Sequence, residues 1–377
     1  MTAADSLRPS PLARIRPDVQ AMHAYAVQDA AGLVKLDAME NPHTLPPALR
    51  AVLGQRLGEV AVNRYPGPNV DQLKRALHDY AQPPEGWSLM LGNGSDELIS
   101  LLAMACDVPG ATVMAPVPGF VMYAFSAQLQ GLGFHGVPLT PDFELDEPAM
   151  LAAIAQHRPA ILYLAYPNNP TGTLWNADAI ARLIDAQGAQ GGLVVMDEAY
   201  QPFAAASWID RARAEPARHA HVLIMRTLSK FGLAGVRLGY LLGDAALVAQ
   251  IDKVRPPYNV SVLNAECALF ALENEAVFAA QAQDIRAQRA SLFEALAQLP
   301  GVHAYPSEGN MILVRITAQG GRADDQAAAR VWDGMKARGV LIKNVSKMHP
   351  MLANCLRLTV GTAAENAQQI AALQASL

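Results

Sequence analysis

The chain has 377 residues, of which 51% are hydrophobic and 17% charged, with a formal net charge of -5. That length buries a large core and favours one large domain with a smaller one, while the mild acidity and lack of a basic block argue against nucleic acid or an anionic membrane as partner. No apolar run is long enough to span a membrane, and residues 1–20 hold no continuous apolar segment, so a secretory leader is not expected and a cytoplasmic location is.

In chain order, the first 44 residues end in Pro42, Pro46 and Pro47, which punctuate the approach to a helix near Leu49. From about residue 86 to 260, aliphatic runs alternate with amphipathic stretches, the pattern of strands and helices wound around a mostly parallel sheet. Gly92-Asn93-Gly94-Ser95-Asp96-Glu97 opens a helix through Leu98, Leu101, Leu102 and Ala105. The unpaired backbone N–H groups of such a start form an anion site, although an ordinary capped helix has the same composition.

Three later runs matter for how they end. Ile161-Leu162-Tyr163-Leu164 leads to Tyr166-Pro167-Asn168-Asn169-Pro170-Thr171-Gly172, Leu193-Val194-Val195-Met196 to Asp197-Glu198-Ala199-Tyr200, and Val222-Leu223-Ile224-Met225 to Arg226-Thr227-Leu228-Ser229-Lys230. Ligands of open α/β sheets bind beyond the carboxyl ends of the strands, so these polar tails are expected to share one crevice. After residue 262 an Ala-, Gln- and Glu-rich helical stretch runs to Leu299, followed by short strands at Met311 to Ile316 and Cys355 to Val360. The expected division is a large domain over 45–262 and a small one from 1–44 with 263–377. Cys106, Cys267 and Cys355 have no metal-ligand spacing and leave one unpaired, so neither a zinc site nor a disulfide framework is indicated.

The tails carry a coherent chemistry. Of seven lysines, only Lys230 sits at such a strand terminus, where partial desolvation and nearby cations would lower its pKa and make it a nucleophile and base. Asp197 closes an apolar strand, a costly place for a carboxylate unless a cation or strong donors meet it. Tyr200 and Asn169 follow strand ends and carry donors, and Ser229 and Arg237 flank the lysine with a hydroxyl and a guanidinium. Taken singly, each has an ordinary explanation: a solvated lysine, a capping aspartate, a packed tyrosine, a turn asparagine, a surface arginine. Together they supply what pyridoxal 5'-phosphate needs: an amine to hold it, an acid opposite the pyridine nitrogen, donors to its phenolate oxygen and a phosphate cradle.

Asn-Asn-Pro-Thr-Gly, Asp-Glu-Ala-Tyr, and Ser-Lys followed by Gly-Val-Arg-Leu-Gly, in this order and strand context, resemble the fold type I aminotransferases over nearly the whole chain. Within that group, Asn63-Arg64-Tyr65-Pro66, Leu36-Asp37-Ala38-Met39-Glu40-Asn41-Pro42 and Leu356-Arg357-Leu358-Thr359-Val360-Gly361-Thr362 look most like the histidinol-phosphate aminotransferases. The resemblance implies an α/β fold with a large domain on a mostly parallel central sheet and a smaller α+β domain. It implies a homodimer in which Tyr65 reaches the cofactor phosphate of the neighbouring subunit, and Arg357 as the grip on the substrate anion, with Tyr25 and Asn310 on the substrate side. Gly94, Ser95 and Asp96 would lie at the phosphate, and Phe120 would stack on the pyridine ring where relatives often carry tyrosine. Lys343 stands where some relatives have a second arginine, keeping the charge but losing the planar fork.

The implied reaction is ping-pong transfer of an amino group between histidinol phosphate and 2-oxoglutarate in histidine biosynthesis, with an aromatic amino acid as an alternative substrate. A phosphothreonine-type decarboxylase would use the same lysine, aspartate and arginine. A cofactor-sensing transcription regulator would need a DNA-binding module, and no basic helical segment precedes the aminotransferase-like body.

Overall fold

A computed structural model describes residues 11–22, 28–317 and 326–377. The chain separates into two compact units, Met1–Gly32 and Leu33–Leu377. In the first, a tight turn over Pro11–Arg14 precedes a short helix, Pro17–Ala21, with proline at its first position and Asp18 paired to Arg16 at 2.6 Å.

The second unit holds twelve strands among the described residues. They are β1 (Val34–Leu36), β2 (Trp87–Gly92), β3 (Thr112–Val117), β4 (Gly133–Pro138), β5 (Ile161–Ala165), β6 (Leu193–Asp197), β7 (Val222–Thr227), β8 (Gly239–Asp244), β9 (Val302–Ala304), β10 (Met311–Ile316), β11 (Val340–Asn344) and β12 (Cys355–Thr359). Seven form one sheet in the order β2-β8-β7-β6-β5-β3-β4. Neighbours from β7 through β4 run parallel, and only β8 is reversed, antiparallel to both β7 and β2. The carboxyl ends of β2, β3, β5, β6 and β7 therefore lie along one edge.

The central strands read as unbroken apolar runs because both faces are covered. Leu162, Leu164, Val194, Met196, Val222 and Ile224 pack into one core, and Ile161, Tyr163, Val195, Leu223 and Met225 into the other. On the first face, the helix Ala177–Ala189 buries Ile180, Leu183 and Ile184, one helical stripe, and starts at Asn176, whose side chain accepts from the N–H of Asp178 and Ala179. On the second, the helix Ser95–Ala105 buries Leu98, Ile99, Leu101 and Leu102.

The other five strands form a sheet ordered β1-β11-β12-β10-β9, in which only β1 and β11 are parallel. The Ala-rich stretch after residue 262 is two helices, Val262–Glu273 and Glu275–Ala297, interrupted at Asn274, whose side chain donates to Phe270 O. Leu356 and Leu358 of β12 join Ile285, Leu292, Val331 and Met335 in the core behind this sheet. Strand alternation sends Arg357 to the opposite face. Among the described residues, no helix is long and apolar enough to cross a membrane.

One ion pair is sealed in the larger sheet. Glu198, just past β6, accepts from Arg226 Nε at 2.9 Å and from Ser207 Oγ, and its carboxylate also takes the Trp208 N–H. The side chains of Arg226 and Glu198 are 7% and 0% exposed, so removing one partner strands a charge without water. Arg226→Met is expected to lower the unfolding free energy by about 3–5 kcal/mol in urea titration. A loss below about 1 kcal/mol would show that the site rehydrates or neutralises instead.

Candidate active site

The strand tails meet at a cavity of about 330 Å³ lined by Ser95, Asp96, Phe120, Tyr123, Asn169, Asp197, Tyr200, Ser229, Lys230 and Arg237, with Ala38, Met39 and Glu40 on its outer wall. Such a volume suits a small organic ligand.

Lys230 lies in a wide turn over Ser229–Leu233, immediately after β7, and the turn closes through Gly232 at φ +140. Its Nζ donates to Ala38 O at 2.8 Å. Burial, and then the Arg357 guanidinium, lower the amine's pKa to about 8. Across the cavity Asp197 ends β6, only 4% exposed. Its Oδ2 accepts from the Tyr123 hydroxyl at 2.7 Å and its Oδ1 from the Ala199 N–H at 3.1 Å. Desolvation pushes this carboxyl up to about 6 against the lowering effect of those two donors.

The Asn-Asn pair separates by role. Asn168 Nδ2 donates to Pro118 O and Thr171 Oγ1, which makes it the brace of the loop. Asn169 faces the cavity; its Oδ1 accepts from Arg357 Nη1 at 2.7 Å, and among the described residues its amide nitrogen has no acceptor. Among the described residues the buried Tyr200 hydroxyl meets only the weakly accepting Met39 Sδ at 3.6 Å, and burial raises its pKa.

Ser95, Asp96, Ser229 and Arg237 share one part of the lining. The helix Ser95–Ala105 starts after Gly94, at φ +83, with no side-chain cap on its first N–H groups. Arg237 comes within 3.4 Å of both Ser229 Oγ and Asp96 Oδ2, two long contacts that leave hydrogen-bonding capacity. The close approach needs bare backbone: a Cβ on Gly94 would lie 2.7 Å from Arg237 Nη2, and one on Gly239 2.8 Å from Ser95 N. Phe120 forms a flat wall, its ring edge-on to Tyr123.

The strap Asp37–Glu40 crosses the mouth. Its three successive carbonyls accept from site side chains: Asp37 O from Arg357 Nη2 at 2.8 Å, Ala38 O from Lys230, and Met39 O from Asn310 Nδ2 at 3.0 Å. Met39 takes φ +52, a left-handed conformation uncommon for a side chain of its size. Asn310 is fully buried, and among the described residues its Oδ1 has no hydrogen-bond partner. Lys343 pairs with Arg357 across β11 and β12, and neither of these nor Asn310 is among the residues that line the cavity itself. Tyr65 is 78% exposed, stacked on Tyr258 at 4.5 Å, and is likewise absent from the lining. Tyr25 lies outside the described residues.

The sequence gives no warning of Tyr123, which reads as a packing aromatic, nor of the strap carbonyls, which any residue possesses. Thr227, whose Oγ1 donates to Ser229 Oγ at 2.9 Å, is visible only as the residue before Leu228-Ser229-Lys230.

The sequence profile of the family "Aminotransferase class I and II" matches residues 31–373. The chain is 68% identical to the histidinol-phosphate aminotransferase of Polaromonas naphthalenivorans over the whole of both chains, and 68% identical to that of an Acidovorax species over 97% of each. Its fold superposes on the histidinol-phosphate aminotransferase of Sinorhizobium meliloti, solved in complex with pyridoxal-5'-phosphate, with a TM-score of 0.81 at 25% identity, covering 97% of this chain and 98% of that one. This chain belongs to the class I and II aminotransferase family.

Proposed function

We propose that the chain catalyses amino transfer between L-histidinol phosphate and 2-oxoglutarate, giving imidazole-acetol phosphate and glutamate, as a step of histidine biosynthesis in the cytoplasm. One observation carries the chemistry: the half-buried Lys230 and the buried Asp197 line one cavity together with the uncapped helix start at Ser95 and the Ser229 and Arg237 side chains. The full-length relatives named above support the substrate.

Pyridoxal 5'-phosphate fits the donor set. A phosphate matches the uncapped helix start at Ser95 and Asp96 together with Ser229 and Arg237. The free amide of Asn169 and the Tyr200 hydroxyl suit its phenolate oxygen, Asp197 suits its ring nitrogen, and Phe120 offers a face for the ring. When bound, the cofactor supplies a conjugated ring that spreads the charge left when the proton leaves the carbon bearing the substrate amine.

The chain's residues do the rest. Lys230 would hold the cofactor and, once the substrate amine takes its place, would carry the proton from that carbon to the cofactor, the second half-reaction running the same transfer in reverse onto the carbon of the 2-oxo acid; an amine poised near pH 8 serves both directions. Asp197 keeps its charge against the ring nitrogen. Arg357 grips the substrate anion with its planar fork, with Asn310 beside it and Lys343 adding charge from β11. Two successive half-reactions in one cavity give ping-pong kinetics.

The exposed Tyr65 supports a homodimer in which it reaches the cofactor phosphate of a second copy, beside the exposed Val62 and Tyr258. Residues 45–262 would act as the cofactor-holding domain, since the seven-stranded sheet lies within 87–244, and residues 33–44 with 263–377 as the smaller one, since β1 joins β9 to β12.

Mixing the cofactor-loaded protein with L-histidinol phosphate, aromatic amino acids and O-phosphothreonine in turn tests the assignment by absorbance. L-histidinol phosphate is expected to discharge the bound chromophore fastest, and release of CO2 without any 2-oxo acid would overturn it. Lys230→Ala is expected to abolish turnover and the visible absorbance, and Asp197→Ala to cripple proton abstraction more than cofactor occupancy. In the cofactor-free protein, Lys230 is protonated and unreactive below about pH 8 and a free amine above it, so its labelling by an amine-reactive probe should rise with a midpoint near 8; a midpoint at 10 or higher contradicts the burial argument.

A further inference from the structure

We propose that Tyr123 is a positioning residue for Asp197: its hydroxyl, 2.7 Å from Oδ2, holds that side chain ionised and aimed into the cavity while its ring fixes Phe120 alongside. The Ala199 N–H that meets the other oxygen belongs to the same tail as Asp197 and moves with it. Tyr123 instead comes from a separate element, the helix Met122–Gln130, and ties that helix to the end of β6.

The ring cannot swing away. It is 2% exposed, stacked face to face on Tyr163 of β5 with centroids 4.3 Å apart and planes 7° from parallel, and it meets Phe120 edge-on at 5.6 Å. One tyrosine therefore sets both the acid and the aromatic wall of the cavity. Burial raises its own pKa well above the usual tyrosine range, so it remains a donor throughout the neutral range.

Its counterpart needs that donor. Burial already pushes Asp197 towards holding a proton, and Asp96 from the helix Ser95–Ala105 and Glu198 on the same tail push the same way. Tyr163 and Tyr200 also neighbour it, both with raised pKa and neutral, while Lys230 and Arg237 stand elsewhere on the cavity wall. Tyr123 and the Ala199 amide are the groups that oppose protonation. Without the hydroxyl, Asp197 would take up a proton nearer neutrality and lose the charge that a protonated ring nitrogen pairs with. The purpose of that charge rests on the cofactor reading above, but the bond itself does not.

The test uses full-length, cofactor-free protein carrying 13C-labelled aspartate carboxyls, with the Asp197 resonance assigned by its loss in Asp197→Asn. NMR titration should place the wild-type midpoint near 6 and move it up by about one pH unit, tenfold in proton affinity, in Tyr123→Phe. Tyr163→Phe, which keeps the stack but removes a hydroxyl that does not touch Asp197, should leave it in place. An unmoved midpoint in Tyr123→Phe, or an equal shift in Tyr163→Phe, overturns the proposal. Should Tyr123→Phe fail to fold, 3,5-difluorotyrosine at position 123 donates more strongly and should lower the midpoint; no change there overturns it too. Retained turnover in Lys230→Ala would sink the functional assignment without touching this titration.

Discussion

Burying the Asp197 carboxylate costs solvation that the protein must offset, and the arrangement of the cavity follows from that cost. The apolar run of β6 that ends in this residue is shielded by helices on both faces, so the only polar surroundings available are those the fold supplies. Two donors meet the oxygens, and the remaining demand is for positive charge from within the cavity. Lys230 answers to the opposite constraint, since burial and the Arg357 guanidinium both disfavour its ammonium. An acid raised and an amine lowered bring two proton affinities that differ widely in water to within about two units of each other.

The parallel sheet makes such a juxtaposition inexpensive in chain length. Because β5, β6 and β7 are adjacent and run the same way, Asn169, Asp197 and Lys230 emerge side by side although about thirty residues separate each from the next. Glu198, the next residue after Asp197, faces away into its pair with Arg226. Alternation along the tail thus places one carboxylate in the cavity and locks the other into the structure.

How much of this was legible depends on what each residue signals locally. An apolar run followed abruptly by polar residues is visible in sequence, which is why the three tails, the helix start at Ser95 and the strands near Met311 and Cys355 could be located. Composition does not separate Asn168 from Asn169, because the distinction lies in which side chain turns back to Pro118. Nor does it reveal that Lys343 opposes Arg357, a relation fixed by strand register. Tyr123 was illegible because an aromatic in an apolar helix is ordinary core until its hydroxyl is seen to find an acid. The strap was illegible for a deeper reason: its contribution is made by carbonyl oxygens.

Arg357 acts as a fastener. One arm of its guanidinium holds Asn169 at the edge of the larger sheet and the other holds Asp37 beside β1 of the smaller one, so a single side chain stitches the two layers together. An anion bound at Arg357, as proposed above, would compete for the same nitrogens. Occupancy and stitching are then linked quantities: the ligand's apparent affinity is diminished by whatever free energy the stitch held, and the same amount reappears as slack between the layers when the ligand is aboard.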